Sequence, residues 1–457
     1  MNDVKNDVKE VEIIMFARIS KRIFPLTLAL LLTLSAVPAA RAAGFSDVPG
    51  DHWAYTYIQD VAARGLIQGS GGRFRPDDPV SVQAFLSMVC RASGLDDRKL
   101  QSGADWADPA IAYGQYFGWF TAEEMGDRTA PITREFAAQL LVNAFHPEAV
   151  GQGDGLHFQD EREITESRVP YVQAAVELGL IHGYEDGSFR PQEGLTRAAA
   201  AKLLSLCLPP EPQPTGAQVQ VPVLMYHDVS YLGHGYSKTP EIFEKQMREL
   251  KDAGFHTVFF SELIDYVENG TPLPEKPIVI SIDDGYATNY TYVYPILQEL
   301  GMKAEISIIG DAIRYTNWGL SWDQIREMVA SGLVSIQPHT SSLHSNANGR
   351  IGMLKKSGES WMDYVQLVGN DTRTILDLIT QQVGVQPQVF TYPHGKHNAM
   401  TEAIVQRLGC QVSLTTKDGV AVVVQGDPTS LRLMDRIGMD FRNGSVVSTL
   451  KQFGYKG

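Results

Sequence analysis

The spacing of apolar residues changes once along the chain, and the change falls at a proline-rich stretch. Before it, apolar positions recur every three or four residues: Val169, Val172, Val176 and Leu180 form one stripe, which predicts an amphipathic helix, and Thr196 precedes an alanine-rich helix running to Leu206 as its N-cap. Gly183 and Asp186-Gly187 punctuate the loop between these two helices. After the stretch, short continuous apolar runs take over: Val221-Pro222-Val223-Leu224-Met225-Tyr226, Ile278-Val279-Ile280-Ser281-Ile282 and Ala304-Glu305-Ile306-Ser307-Ile308-Ile309. Such runs predict parallel strands buried on both faces. Helical patterns over 241–254, 261–268, 292–300, 322–331 and 371–383 alternate with them, which predicts an α/β barrel with its chemistry at the C-terminal strand ends. Residues 208–216 carry Pro209, Pro210, Pro212 and Pro214, so this stretch reads as an extended, semi-rigid linker. The expected organisation is a leader over 1–43, a repeat region over 44–208, a linker over 209–220 and a second domain over 221–457.

The region before the linker repeats itself. Phe45-Ser46-Asp47, Gly65-Leu66-Ile67-Gln68-Gly69 and Phe74-Arg75-Pro76 return as Phe158-Gln159-Asp160, Gly179-Leu180-Ile181-His182-Gly183 and Phe189-Arg190-Pro191, and a weaker middle copy runs from Asp105-Trp106 to Thr133-Arg134-Glu135 and on into the next helix. One helical pair cannot bury its own apolar face, so the copies must pack on one another. The pattern resembles S-layer homology modules. That resemblance implies an all-α repeat domain packing in threes, and attachment to a secondary polymer of a bacterial cell wall. In such modules a Thr-Arg-Ala-Glu tetrad at the head of the second helix offers a cation and helix N–H groups to an anionic sugar. Thr133-Arg134 and Thr196-Arg197 keep the Thr-Arg pair, making Thr133, Arg134, Thr196 and Arg197 the candidate polymer-binding residues, whereas Ser81-Val82-Gln83-Ala84 has no arginine.

Composition narrows the partners. The chain has 457 residues and a net charge of −14, which argues against a protein spread over nucleic acid or anionic lipid. Cys90, Cys207 and Cys410 form neither a close pair nor an even set, so they read as small buried apolar residues. Arg18, Lys21 and Arg22 precede an apolar run and then Ala40-Arg41-Ala42-Ala43, the pattern of a secretory signal peptide over 1–43. Its apolar stretch is about 15 residues, short of the roughly 20 needed to span a bilayer, so no transmembrane segment is expected after cleavage. The expected location is secreted, at the bacterial cell surface or wall.

The chemistry-bearing residues sit where strands end. Ile278 to Ile282 runs straight into Asp283-Asp284-Gly285, and two adjacent carboxylates are costly unless one binds a cation. Leu333-Val334-Ser335-Ile336 leads into His339 and His344, five residues apart; on a regular helix they would point roughly 140° apart, so they belong on a strand-end loop. One carboxylate and two imidazoles suit Zn²⁺ or another first-row divalent ion. These motifs, together with Tyr392-Pro393-His394-Gly395, resemble those of the polysaccharide deacetylases, carbohydrate esterase family 4.

The resemblance implies a distorted (β/α) barrel with Asp283 as general base and Asp284, His339 and His344 as metal ligands, the metal being zinc, or else cobalt or nickel. It also implies a substrate-binding turn at Tyr392, Pro393, His394 and Gly395, with the His394 backbone N–H facing the oxyanion. The five-residue histidine interval and Met225-Tyr226-His227-Asp228 are similar to the poly-N-acetylglucosamine deacetylase branch, which makes His227 the general acid. Thr391 stands where the family carries a base-orienting arginine, and Arg436 is the expected substitute. The implied activity is removal of N-acetyl groups from amino-sugar polysaccharides, peptidoglycan or poly-N-acetylglucosamine-like. Two alternatives stand beside it: a wall-binding protein with an inactive barrel, which the arginine missing at Thr391 favours, and an O-acetyl esterase on a wall polysaccharide, which would use the same site.

Overall fold

The computed structural model describes residues 44–457 except 102–104, 152–154, 211–213, 215, 234 and 347–348. The expected signal peptide therefore lies outside the described residues. In the repeat region the longer helices are α1 (Tyr55–Ala63), α2 (Val82–Ala92), α3 (Asp108–Tyr116), α4 (Arg134–Phe145), α5 (Val169–Glu177) and α6 (Arg197–Cys207). The repeated motifs have a structural reason. Asp47 accepts the backbone N–H groups of Phe74 and Arg75 at 2.7 and 2.8 Å, and Asp160 accepts those of Phe189 and Arg190 at 2.7 Å each. A carboxylate thus pins the turn that ends the same loop in both copies, where Arg75 and Arg190 hold left-handed backbone at φ 59° and 56°.

Helices are not the whole of this region. Single β-bridges join Ser81 to Pro131, Thr133 to Gly194 and Thr196 to Pro79, so the three copies close into a ring through the residues that start α2, α4 and α6. Those residues are N-caps: Ser81, Thr133 and Thr196 accept from the N–H groups of Ala84, Phe136 and Ala199.

The second half is a parallel sheet consistent with a barrel. Its strands are β1 (Gln218–Val221), β2 (Val223–Tyr226), β3 (His256–Thr257), β4 (Pro277–Ile282), β5 (Ala304–Ile308), β6 (Val334–Pro338), β7 (Val389–Thr391), β8 (Val412–Leu414), β9 (Ala421–Val424) and β10 (Ile437–Gly438). The main sheet runs β10-β2-β4-β5-β6 with β3 on β4, all parallel, while β7 and β8 form a separate parallel pair and β1 and β9 an antiparallel one. Two contacts bridge the gaps: the Gln337 side chain on β6 accepts the N–H of Val389 on β7 at 3.1 Å, and Leu414 on β8 forms a backbone β-bridge with Met434, just ahead of β10. Every residue of β2, β4 and β5 is buried, the two-sided burial that erases polar alternation from their sequences.

Around the sheet lie α7 (Pro240–Asp252), α8 (Phe260–Asn269), α9 (Tyr294–Leu300), α10 (Gly310–Tyr315), α11 (Trp322–Ala330), α12 (Trp361–Val383) and α13 (Ala399–Arg407). The expected helix over 371–383 is the second half of α12, which starts ten residues earlier behind the Ser360 cap. Gly369 and Asn370 interrupt the helical pattern because they face another part of the chain. A Cβ on Gly369 would fall 2.2 Å from Tyr116 Cζ on α3, and the Tyr116 hydroxyl lies 3.3 Å from Asn370 Oδ1. Nearby, Arg407 of α13 donates to the carbonyls of Ala144 and Asn143 and lies over the rings of Phe117 and Trp119, while Tyr113 donates to the Ala403 carbonyl. One apolar cluster continues from the repeat helices into Val365, Val368, Met400 and Ala403, and residues 44–457 form one compact unit. All three cysteines are buried and free. No helix among the described residues is long and apolar enough to cross a membrane.

Candidate active site

Four strand ends converge on one cavity of about 660 Å³, lined among others by His227, Asp283, Asp284, His339, His344 and Asp440. Asp283 leaves β4 with its N–H on the Tyr226 carbonyl, 2.9 Å away. The chain then turns so tightly that Asp284 and Gly285 both take left-handed backbone, φ 73° and 74°. A side chain at Gly285 would strike Ile308, so the turn needs glycine there.

Asp284, His339 and His344 face one another. Their ligand atoms lie within 4.8 Å of one another. His339 Nε2 is 3.6 Å and His344 Nε2 3.2 Å from the same oxygen, Asp284 Oδ1, which is buried and has no hydrogen-bond partner. His339 Nδ1–H donates to the Thr391 carbonyl at 2.7 Å, leaving Nε2 as the lone-pair nitrogen. Burial, then the neighbouring His344, brings its pKa down to about 4, so the ring is neutral. An orphaned carboxylate oxygen facing two imidazole nitrogens is a donor set that fits a divalent cation.

Asp283 is held differently. The Arg436 guanidinium, completely buried, meets both its oxygens at 2.8 Å, and also binds Ser281 Oγ at 2.9 Å and the Thr415 carbonyl at 2.7 Å. Burial raises the carboxyl pKa, but Arg436, joined by His339 and His227, outweighs it and holds the group well below the usual carboxylate range. His227, just past β2, has Nε2 4.0 Å from Asp283 Oδ2, and its Nδ1 is 2.8 Å from Asp440 Oδ2. No motif marks Asp440 in the sequence; its only signal is a carboxylate two residues beyond β10, the strand paired with the one that delivers His227.

The expected substrate turn needs correction. Tyr392 is fully buried and donates its hydroxyl to Glu402, and Pro393 is buried too. Gly395, φ 64°, packs so closely on Thr416 that a Cβ would sit 2.3 Å from its Oγ1. These three build the turn, and His394 alone of the four lines the cavity, with Nε2 donating to the His344 carbonyl at 2.9 Å. The expected polymer-binding residues also have other partners. Arg134 donates to the carbonyls of Phe189 and His182 and Arg197 to those of Phe74 and Gln68, each across to another copy. The N–H groups of Arg134 and Glu135 go to Glu193 and Pro191, and those of Arg197 and Ala198 to Asp78 and Pro76, so the helix starts are already satisfied.

A polysaccharide deacetylase family model matches residues 270–413, and an S-layer homology domain model matches 44–81 and 158–201, leaving the middle copy unmatched. The polysaccharide deacetylase homologue YxkH of Bacillus subtilis is 31% identical over 212 residues, 46% of this chain and 70% of that protein. The chain belongs to the polysaccharide deacetylase family. The Escherichia coli poly-beta-1,6-N-acetyl-D-glucosamine N-deacetylase is 27% identical over 210 residues, 40% of this deacetylase and 31% of that enzyme. A solved de-N-acetylase from Aggregatibacter actinomycetemcomitans aligns with a TM-score of 0.45 at 25% identity, covering 51% of this deacetylase and 100% of that chain.

The His227–Asp440 pair gives this deacetylase a pH signature when no metal is bound. Burial disfavours the imidazolium, but the Asp440 bond and the Asp283 charge push its pKa up to about 9. A histidine raised above its unfolded value of about 6.5 stabilises the fold fully below that pH, and this contribution disappears as pH rises through about 9. Asp440→Asn should therefore lower the thermal unfolding midpoint most near about pH 6, with the deficit shrinking toward about pH 10. Unfolding scans in chelator across that range check this; a deficit independent of pH would show that the imidazole is neutral in the fold.

Proposed function

We propose that this chain is a secreted, wall-anchored, metal-dependent deacetylase that hydrolyses N-acetyl groups on amino-sugar polysaccharides. The observation that carries this reading is the joint geometry in one cavity: a base candidate fixed by Arg436, a three-residue metal set beside it and a histidine across from it. An arginine missing at Thr391 favours an inactive barrel only if nothing else holds the base, and Arg436 meets Asp283 from elsewhere in the chain.

In this reading Asp284, His339 and His344 hold a divalent cation, zinc or else cobalt or nickel, which when bound polarises a carbonyl and lowers the pKa of water toward about 7. Asp283 is charged at neutral pH and takes the proton of the attacking water at a carboxylate oxygen. Its pairing with Arg436 makes it a weak base, and this is workable only toward a water already acidified. The His394 backbone N–H donates to the oxyanion that forms on the acetyl carbonyl. When the C–N bond breaks, His227 gives a proton from Nε2 to the leaving amine, and Asp440 on Nδ1 steadies the charged ring. Acetate and a free amine result.

The anchoring part of the proposal rests on a groove of about 370 Å³ lined by Trp53, Arg134, Tyr184 and Lys202. Trp53 is 58% exposed, with the His52 ring stacked near it at 5.8 Å between centroids, and presents aromatic surface on which a sugar ring can stack. Trp53→Ala with Lys202→Ala should reduce cosedimentation of the full chain with purified cell walls, because neither residue ties the copies together; unchanged sedimentation would place the anchor elsewhere. For the catalytic part, Asp283→Asn should keep the metal and lower turnover roughly 10²–10⁴-fold, the usual contribution of a positioned base. Acetate release and metal content measured on one sample check this, and wild-type turnover in that variant would remove Asp283 from the mechanism.

A further inference from the structure

The five-residue interval between the two histidines leaves four residues of backbone that must be held if both imidazoles are to face Asp284. The carbonyls of this loop go to α10: Gly310 N–H donates to the Thr340 carbonyl at 3.0 Å and Asp311 N–H to that of Ser341 at 2.8 Å. The N–H groups go the other way. Ser341 N–H donates to Asp371 Oδ2 at 2.9 Å and Ser342 N–H to Asp371 Oδ1 at 2.7 Å. Asp371 is 8% exposed and stands on α12. One carboxylate therefore captures two successive backbone donors, the arrangement by which a turn binds an anion.

The loop needs that capture. Thr340 is a β-branched residue with φ 72°, a backbone conformation it adopts only when its surroundings impose it, and its Oγ1 is buried without a partner. Asp371 is itself fixed, because Gly369 and Asn370 immediately before it press against Tyr116 of the middle repeat. The carboxylate thus stands on a helix held from the side opposite the loop.

We propose that Asp371 is a positioning residue for the metal set. By fixing the backbone between His339 and His344, it holds the His344 imidazole against Asp284 before any cation arrives. This rests on the metal-binding reading of Asp284, His339 and His344.

The test uses the full chain and the metal alone. Asp371→Asn keeps the shape but turns an amide NH₂ toward a backbone N–H, and Asp371→Ala removes both acceptors; Asp377→Ala, an exposed position on the same helix, is the control. Zn²⁺ affinity by equilibrium dialysis should fall about 10–100-fold in both Asp371 variants, the usual effect of losing a group that orients a ligand. It should stay at the wild-type value in Asp377→Ala. The visible spectrum of bound Co²⁺, which reports ligand geometry, should change only in the Asp371 variants. Wild-type affinity and an unaltered cobalt spectrum in Asp371→Asn would overturn the proposal, as would a loss that tracks the fraction unfolded by circular dichroism. A wild-type chain that takes up neither ion would instead overturn the metal reading itself.

Discussion

A carboxylate buried beside an apolar strand needs a partner for its charge, and at Asp283 that partner is Arg436, itself without solvent contact. The pair is bidentate, and two of the three remaining guanidinium donors go to Ser281 and Thr415, which holds both charges in this one arrangement. It fastens the end of β4 to the segment entering β10, on either side of β2, and so fixes the mouth where β2 delivers His227. The adjacent Asp284 is then turned away by its left-handed backbone toward the two histidines. Two neighbouring carboxylates thereby acquire different surroundings, one neutralised by an arginine and one left with an unsatisfied oxygen.

The same economy of fixed partners extends to the repeat region. Its three copies are joined through the residues that begin their second helices, and the middle copy is hydrogen-bonded to α12 and α13. That copy is also the one outside the S-layer homology matches. The apolar cluster continuous across this contact means that the catalytic half does not hang from a free linker. A cleft mounted this way keeps a set orientation to whatever the repeats hold.

What could be read from the residues follows from the range of the interactions. The runs forming β2, β4 and β5 were legible because two-sided burial removes polar alternation, and the Asp-Asp-Gly turn and histidine loop were legible because they follow such runs directly. The first ten residues of α12 were not, since Gly369 and Asn370 are poor helix formers kept for a contact with Tyr116, 253 residues earlier in the chain. The His227–Asp440 bond spans 213 residues and leaves no local pattern. The Thr-Arg heads showed a cation at a helix start, but their spacing could not show that neighbouring copies already supply its acceptors. Tyr392 and Gly395 carry a family motif for the sake of the turn, a role that motif alone does not separate from contact with substrate.

The central claim is that one cavity unites a metal set with an arginine-held base for hydrolysis of N-acetyl groups. The most direct measurement is acetate release by the purified full chain from oligomers of N-acetylglucosamine, before and after treatment with chelator and after return of zinc. The account predicts release that ceases on chelation and returns with the metal. Release at an undiminished rate in a chain shown to be metal-free would contradict it.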